Sequence, residues 1–158
     1  MATYARSTRV AAPLDTVWAF HDDVDGLLAL SPDWAGLRVE SVRGPDGTVA
    51  PDDLGPGTEI TLSARPLGLG PRQTVTTVIT DRRVGNGSAM FRDELRDGPL
   101  ARWVHTHAFY GDGEETVLRD RVEYATGLGA AADAAVRPAL NAAFADRHRR
   151  TRRLLEAD

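Results

Sequence analysis

The sequence contains no cysteine and no lysine, and each absence excludes a class of chemistry. Without cysteine the chain can form no disulfide, no thiolate nucleophile and no zinc–cysteine site. All 19 basic residues are arginine, so catalysis through a lysine Schiff base and phosphate binding by a P-loop lysine are excluded as well. A GC-rich coding bias explains the arginine-only pattern most simply, and arginine selected for anion recognition is the alternative.

Long apolar runs are also missing. No stretch approaches the roughly 20 residues that a membrane helix requires, and the opening MATYARSTRV lacks the apolar core of a signal peptide. The formal net charge of −4 argues against nucleic acid as the main partner. A length of 158 residues with 42% hydrophobic content suits one globular domain. We therefore expect a single domain over residues 1–158, located in the cytoplasm, with neither a membrane span nor a nucleic-acid partner.

The most informative part of the chain is residues 91–124, FRDELRDGPLARWVHTHAFYGDGEETVLRDRVEY. Turn-forming sequences at residues 96–99 and 111–113 separate three runs in which polar and apolar residues alternate, which predicts a three-stranded antiparallel meander. One face of its last two strands carries Trp103, His105, His107, Phe109, Leu118, Asp120, Val122 and Tyr124. The aromatic rings make this the buried face, so two histidines and one aspartate point toward the interior.

The other segments predict four more strands and three helices. Alternating or β-branched segments predict strands at residues 3–10, 37–43, 58–65 and 73–83. Pro13 begins a first short helix that continues to Phe20, and Asp25 caps a second one at residues 26–30. Residues 130–157, rich in alanine and arginine, predict a long C-terminal helix.

These elements predict an α+β fold, in which a curved antiparallel sheet of about seven strands wraps around the C-terminal helix. Two short helices follow the first strand. The antiparallel sheet has one apolar face to cover, and the last helix is the only element long enough to cover it. A cleft between sheet and helix would suit a mostly apolar ligand.

The order of the predicted elements, together with three motifs, resembles the START/Bet v 1-like superfamily, which is also called SRPBCC. Residues 11–20 (AAPLDTVWAF) are similar to its a-P-x-x-V-W-x-F opening, and residues 55–58 (GPGT) to its glycine-containing entry to a central strand. The meander is similar to a bacterial and archaeal branch with the pattern F-x-D, G-P-F, W-x-H-x-H-x-F and D-x-V-x-Y. Leu100 replaces the phenylalanine of G-P-F. The resemblance covers nearly the whole chain.

The resemblance implies the helix-grip fold of that superfamily. Members of the branch are labelled ligand-binding proteins, polyketide cyclase/dehydrase-like proteins or cell-division-inhibitor-like proteins. The fold therefore accommodates binding proteins and enzymes alike, and function has to be argued from the site.

The two histidines and the aspartates around them are the candidate polar site. With a last turn at residues 111–114, Tyr110 would pair with Glu115, which places His105 opposite Asp120, His107 opposite Leu118 and Trp103 opposite Val122. Asp93, on the first strand of the meander, falls near Trp103 and next to His105 on the same face. Directly opposite side chains lie about 5 Å apart, close enough for an imidazole–carboxylate hydrogen bond.

Three interpretations of this cluster remain open at the level of sequence. The aspartates could simply satisfy buried histidines and hold the strands together. The cluster could orient a ligand in an apolar pocket. His105 or His107, oriented by Asp120, could act as a general acid or base. Metal ligation by His105, His107 and a carboxylate is chemically possible, but we expect no metal and no other cofactor.

The other polar candidates are interpreted as structural or surface groups. His21 is expected in a surface ion pair at a helix end, and His148 is expected to be exposed among the C-terminal arginines. Trp34 follows a proline in a loop that could form the rim of the cleft. The acidic pairs Glu114–Glu115 and Asp52–Asp53 occupy turns and need no functional explanation.

The sequence thus predicts a protein, monomeric or homodimeric, that binds a hydrophobic or amphipathic small molecule. A cofactor-independent cyclase or dehydratase using His105, His107 and Asp120 is the second hypothesis. An interaction protein with an exposed apolar surface around Leu67 and Leu69 is the third. The expected ligand-binding residues are Ile60, Leu62, Phe91, Asp93, Trp103, Phe109, Tyr124, Leu140 and Phe144.

Overall fold

The alternating segments of the sequence form one antiparallel sheet. Within residues 1–49, 51 and 54–156, which the computed structural model describes, the sheet has seven strands in the spatial order β1-β7-β6-β5-β4-β3-β2. In chain order they are β1 (Ala2–Val10), β2 (Arg38–Arg43), β3 (Glu59–Ala64), β4 (Gln73–Val84), β5 (Ser88–Asp97), β6 (Arg102–Asp112) and β7 (Glu115–Ala125). Strands β2 to β7 form a meander, and β1 adds to its far edge beside β7. The predicted sheet is confirmed.

Helices occupy the positions that the sequence predicts. Helices α1 (Leu14–His21) and α2 (Val24–Ala29) follow β1, and α3 (Ala130–Leu155) follows β7 and continues through Pro138. Single 3₁₀ turns lie at Asp33–Ala35 and Pro66–Gly68. No helix within the described residues is both long enough and apolar enough to cross a membrane. The predicted Asp52–Asp53 turn lies outside the described residues.

The start of α2 differs from the prediction. Its N-cap is Asp23 rather than Asp25, and the Asp23 carboxylate accepts a hydrogen bond from the backbone amide of Asp25. Gly26 lies in close contact with the end of α1, since a Cβ atom there would lie 1.9 Å from the carbonyl oxygen of Phe20. A residue with no side chain is therefore what allows the two short helices to pack at this corner.

The register of the last hairpin also differs from the prediction. The turn is the two-residue Gly113–Glu114, with Gly113 at φ 62°, and Asp112 pairs with Glu115. A glycine at the first position of a two-residue turn supplies the positive φ that such hairpins use.

The shorter turn moves the pairing by two residues. His105 faces Val122, His107 faces Asp120, and Trp103 faces Tyr124, so the predicted pairs of His105 with Asp120, His107 with Leu118 and Trp103 with Val122 are wrong. On the other side, Asp93 faces His105 rather than Trp103. Because side chains alternate with a period of two, every side chain stays on its predicted face.

One half of the sheet, which we call the helix-covered half, consists of β1, β6 and β7. Helix α3 packs mainly on β1 and β7, and α1 packs on β6 and β7. Two clusters of buried apolar side chains fill the space beneath these helices. They are Tyr4, Val122, Tyr124, Leu140 and Phe144 in one, and Val10, Ala12, Val17, Phe109 and Leu118 in the other.

The other half, which we call the open half, consists of β3, β4 and β5. Its buried apolar cluster is small, comprising Ile60, Leu62 and Ile79, with partly buried side chains such as Leu27 and Val75 around it. The long helix does not pack on these strands to the extent that it packs on β1. An apolar face of the sheet therefore borders a space rather than a packed helix.

Candidate ligand cavity

A cavity of about 340 Å³ lies against the open half of the sheet. Strands β3, β4 and β5 form one wall, and α2 with the end of α1 forms another. Most of the lining side chains are apolar, including Leu27, Leu30, Leu54, Ile60, Leu62, Val75, Ile79, Phe91, Leu95, Leu100 and Trp103. The polar lining groups comprise His105 and His107 from β6, Asp93 from β5, His21, Asp22 and Asp23 near the end of α1, Thr77 from β4, and Arg147 from α3.

A histidine–aspartate cluster lies where the cavity meets the helix-covered half. It consists of Asp93, His105, His107, Asp120 and His148. The Asp120 carboxylate accepts hydrogen bonds from His105 Nε2 at 2.7 Å and from His148 Nε2 at 2.5 Å. Asp93 accepts one from His107 Nε2 at 2.9 Å. The cluster therefore ties β5, β6, β7 and α3 together.

Asp120 is the centre of this cluster. Its side chain is 1% exposed and is enclosed by imidazole rings on two sides. Burial alone would raise the pKa of the Asp120 carboxyl, but the hydrogen bonds from His105 and His148 outweigh that effect and hold its pKa well below the ordinary value. Asp120 is therefore a buried carboxylate that fixes both imidazoles, with Nε2 as the donor in each.

The ring of His107 lies between those of Phe91, on which it stacks, and His105, to which it is tilted. The His107 ring lies 3.9 Å from that of Phe91 and 3.6 Å from that of His105, measured between centroids. Burial and the neighbouring charge of His105 lower the pKa of His107 to about 4, despite the hydrogen bond to Asp93. Nδ1 of His107 is buried without a hydrogen-bond partner among the described residues. At neutral pH His107 is therefore an uncharged ring that donates through Nε2.

His105 lines the cavity, and only one of its two ring nitrogens, Nε2, is bonded to Asp120. Because Nε2 donates to Asp120, the neutral ring carries its lone pair on Nδ1. A histidine oriented by a buried carboxylate in this way can accept a hydrogen bond or a proton from a bound molecule.

Two histidines lie elsewhere than the sequence predicted. His21 is 7% exposed, and its ring contacts Phe109 while its Nδ1 donates to the carbonyl oxygen of Val17 at 2.8 Å. Burial lowers the pKa of His21 to about 3. His148 is 1% exposed and belongs to the cluster. The predictions of a surface ion pair for His21 and of an exposed His148 are wrong.

Helical spacing contained a signal for both histidines. His148 lies four residues after Phe144, and His21 lies four residues after Val17. Residues four apart share a helix face, and both Phe144 and Val17 are buried. Arg147 is a lining residue that the sequence did not single out, because it is one of several arginines near the end of α3.

The structure brings some of the expected binding residues to the cavity and places others elsewhere. Those that line it are Ile60, Leu62, Phe91, Asp93, Trp103, His105 and His107. Phe109, Tyr124, Leu140 and Phe144 are packed in the clusters of the helix-covered half. Asp120 lies behind the histidines that line the cavity. Three residues lie on the surface away from the cavity lining: Trp34 is 60% exposed, Leu67 70% and Leu69 71%.

Part of the cluster has the composition of a metal site. Asp93, His105 and His107 each offer one ligand atom, and these atoms lie within 4.8 Å of one another. Two imidazoles and a carboxylate are donors that zinc and iron accept. The hydrogen bond between His107 Nε2 and Asp93 occupies one ligand atom of each residue, so an ion would compete with that bond.

A family model described as "Polyketide cyclase / dehydrase and lipid transport" matches residues 10–150. The chain belongs to this family. No curated protein matches it by sequence.

Solved structures confirm the fold. Protein CV1439 from Chromobacterium violaceum superposes with a TM-score of 0.68 at 12% identity, covering 100% of both chains. Norcoclaurine synthase from Thalictrum flavum, in complex with dopamine and hydroxybenzaldehyde, has a TM-score of 0.64 at 20% identity, covering 99% of this chain and 88% of the synthase. A START superfamily protein from Mycobacterium smegmatis has a TM-score of 0.63 at 14% identity, covering 98% and 97%. The START/Bet v 1-like resemblance and the α+β helix-grip fold are therefore confirmed.

Proposed function

We propose that the protein binds a hydrophobic or amphipathic small molecule in the cavity of the open half. The observation that carries this proposal is a space of about 340 Å³ with mostly leucine, isoleucine and valine walls and polar groups gathered on one side. Ligand pockets in proteins range from about 300 to 1,000 Å³ and combine apolar walls with a few placed polar groups.

The polar side of the cavity would orient the ligand. Asp93, His105 and His107 face the space, and Asp120, which also accepts a hydrogen bond from His148, holds His105 from behind. Side chains fixed by hydrogen bonds to buried partners lose little freedom when a ligand binds, which favours affinity and specificity. The apolar body of the ligand would lie against β3, β4 and β5.

Native mass spectrometry of the purified protein, followed by analysis of the denatured extract, tests the proposal. We expect a reproducible small molecule that accompanies the protein. Leu62→Trp fills the cavity and should abolish its retention, whereas Leu128→Trp, at a position that is 82% exposed, is the matched control and should leave it unchanged. Retention by a folded Leu62→Trp variant would contradict the proposal.

A cofactor-independent cyclase or dehydratase is the second candidate. The orientation of His105 favours it, because Nε2–H donates its hydrogen bond to Asp120 and the lone pair on Nδ1 is left for a substrate proton. Such an enzyme would remove a proton next to a carbonyl group and promote ring closure or loss of water. The description of the family includes both activities.

Comparison of the molecules extracted from the wild type and from His105→Gln separates the two candidates. An enzyme should retain unconverted substrate in the variant, so the extracted mass would change, for example by one water. A pure binding protein would yield the same molecule from both. The cytoplasmic location, the monomeric or homodimeric state and the lack of a cofactor or nucleic-acid partner stay predictions.

A further inference from the structure

The charges that line the cavity are unequally paired. Asp22 forms a two-point salt bridge with Arg82, at 2.7 and 3.2 Å. Asp93 accepts a hydrogen bond from His107, and the exposed Asp23 caps α2. Arg147, which reaches the cavity from α3, differs from these groups: no described residue hydrogen-bonds or ion-pairs with its guanidinium.

A guanidinium that makes no hydrogen bond within the described residues needs a partner once a ligand fills the neighbouring cavity and excludes water. Arginine stays protonated at any physiological pH and presents five N–H donors in a planar fork. Removing such a group from water without a counter-charge is unfavourable. Arg147 is partly buried on the covered side of α3, in the turn that also carries the buried His148, so the helix holds its side chain at the cavity.

We infer that the ligand carries a carboxylate, which Arg147 binds while the apolar part of the ligand lies against the open half of the sheet. The inference rests on the proposed binding function and specifies its ligand class. A carboxylate matches the guanidinium fork with two parallel hydrogen bonds. Its single charge also suits a cavity in which Arg147 is the one described cationic lining residue and Asp22, Asp23 and Asp93 lie nearby. A doubly charged phosphate would be repelled by the three nearby aspartates more strongly than a carboxylate, and the single charge of Arg147 would neutralise only half of its charge.

The surroundings of Arg147 agree with this position. Besides burial, the positive charge of Arg147 contributes to lowering the pKa of His21 to about 3. Burial raises the pKa of Asp93, but the hydrogen bond from His107 and the charges of His107, His105 and, last, Arg147 together lower it below its ordinary value. The guanidinium therefore lies close to both the α1 side and the β5 side of the cavity, where it could reach the polar end of a ligand.

Binding of two pairs of probes by the full-length protein tests the inference. Decanoic acid and 2-naphthoic acid are compared with decanamide and 2-naphthamide, which have nearly the same shape but no charge. Binding is followed by calorimetry and by tryptophan fluorescence, to which Trp103 in the cavity wall contributes beside Trp18 and Trp34. We expect the acid of at least one pair to bind roughly tenfold more tightly than its amide, since a hydrogen bond to a charged partner is about twice as strong as a neutral one.

Variants assign the preference to one residue. Arg147→Gln should remove the difference between acid and amide while the amide still binds, which also shows that the variant is folded. Arg147→Lys should keep part of the preference, because it keeps the charge but loses the fork. Arg149→Gln, whose parent side chain is 58% exposed and pairs with Asp146, is the matched control and should behave as the wild type.

The outcomes separate this inference from the proposed function. Equal binding of acid and amide, or a preference that survives in Arg147→Gln, would overturn the carboxylate assignment and leave ligand binding intact. Absence of binding by all four probes, together with an empty protein in native mass spectrometry, would overturn both.

Discussion

The two halves of the sheet have the same strand geometry but different surroundings. In the helix-covered half, α3 and α1 bury Phe109, Leu118, Val122 and Tyr124 to 1% exposure or less. In the open half, Leu62 is 9% exposed and Ile60 7% exposed, and both line the cavity. The apolar residues of one half therefore pack in the core beneath the helices, and those of the other half border the cavity in which we propose that a ligand binds.

The difference originates in the helix rather than in the strands. Leu140 and Phe144 of α3 pack against Tyr4, Val122 and Tyr124, which holds the helix over β1 and β7. Strands β3 to β5 border the cavity instead, and α2 lines its opposite wall. Local polarity within a strand cannot distinguish these two outcomes, because both halves alternate apolar and polar residues in the same way.

The histidine–aspartate cluster marks the boundary between the halves. Asp120 and His148 lie on the packed side, whereas Asp93, His105 and His107 lie on the cavity side. Buried polar groups of this kind are stable only when each is paired.

Acid should weaken the fold most strongly. His21 and His107 have pKa values lowered to about 3 and about 4 from an ordinary 6.5. The unfolded chain therefore takes up these protons first, so stability is fully present above about pH 6.5 and declines as the pH falls toward the folded values. The two histidines together should cost about 5 kcal/mol between pH 7 and pH 4.5.

Urea unfolding at several pH values measures this loss. Lowered carboxyl pKa values, as for Asp120, contribute only at lower pH. The variant His21→Gln should show about half of the pH-dependent loss, because one of the two protonation sites is gone. A free energy of unfolding that stays constant over this pH range would show that these histidines are not buried as described.

Replacement of each aspartate by asparagine should destabilise the protein more on the packed side of the cluster than on the cavity side. Asp120→Asn removes the charge and replaces one of the two oxygens that accept from His105 and His148 by an NH2 donor in a fully enclosed site, and we expect a loss of about 3–5 kcal/mol. Asp93→Asn affects a side chain that is 17% exposed and has one histidine partner, so its cost should be clearly smaller. Chemical denaturation of both variants measures the difference, and equal losses would argue against a boundary at this place.

The same leucine-to-alanine change in each half should have unequal effects on stability. Leu118→Ala, in the helix-covered half, should cost about 3 kcal/mol because it leaves a void in a close-packed cluster. Leu62→Ala, in the open half, should cost about 1–2 kcal/mol, since this side chain already borders space and loses fewer contacts. Denaturation curves with unchanged slopes would report these values directly. If Leu62→Ala were as costly as Leu118→Ala, the open half would be packed rather than open.

Most of the fold was predictable from the sequence, since alternation, turn residues and helix propensity act locally. The seven strands, the two short helices and the long helix all occur where those patterns place them. The hairpin register was not predictable, because both a two-residue and a four-residue turn fit Gly111-Asp112-Gly113-Glu114. The error was harmless for the faces of the strands, since it amounted to an even number of residues.

The candidate site was only partly predictable for a different reason. His105, His107 and Asp120 could be placed together because they lie on neighbouring strands of one meander. His148 and Arg147 reach the cluster and the cavity from α3. Because α3 is distant in sequence from the strands that it meets, no local pattern predicts the contact of His148 with Asp120. Phe144 and Leu140 were expected at the cavity wall, but how closely the helix approaches the sheet depends on packing across the whole fold.

The most direct test of the account is a methyl-resolved NMR titration of the protein with 2-naphthoic acid. We predict that saturable shift changes concentrate on methyl groups of the open half, such as those of Leu27, Leu62 and Ile79, while Leu118 and Leu140 change little. Shift changes centred on Leu118 and Leu140, or none at any methyl group at saturating probe with either naphthoic acid or decanoic acid, would contradict a ligand cavity at the open half of the sheet.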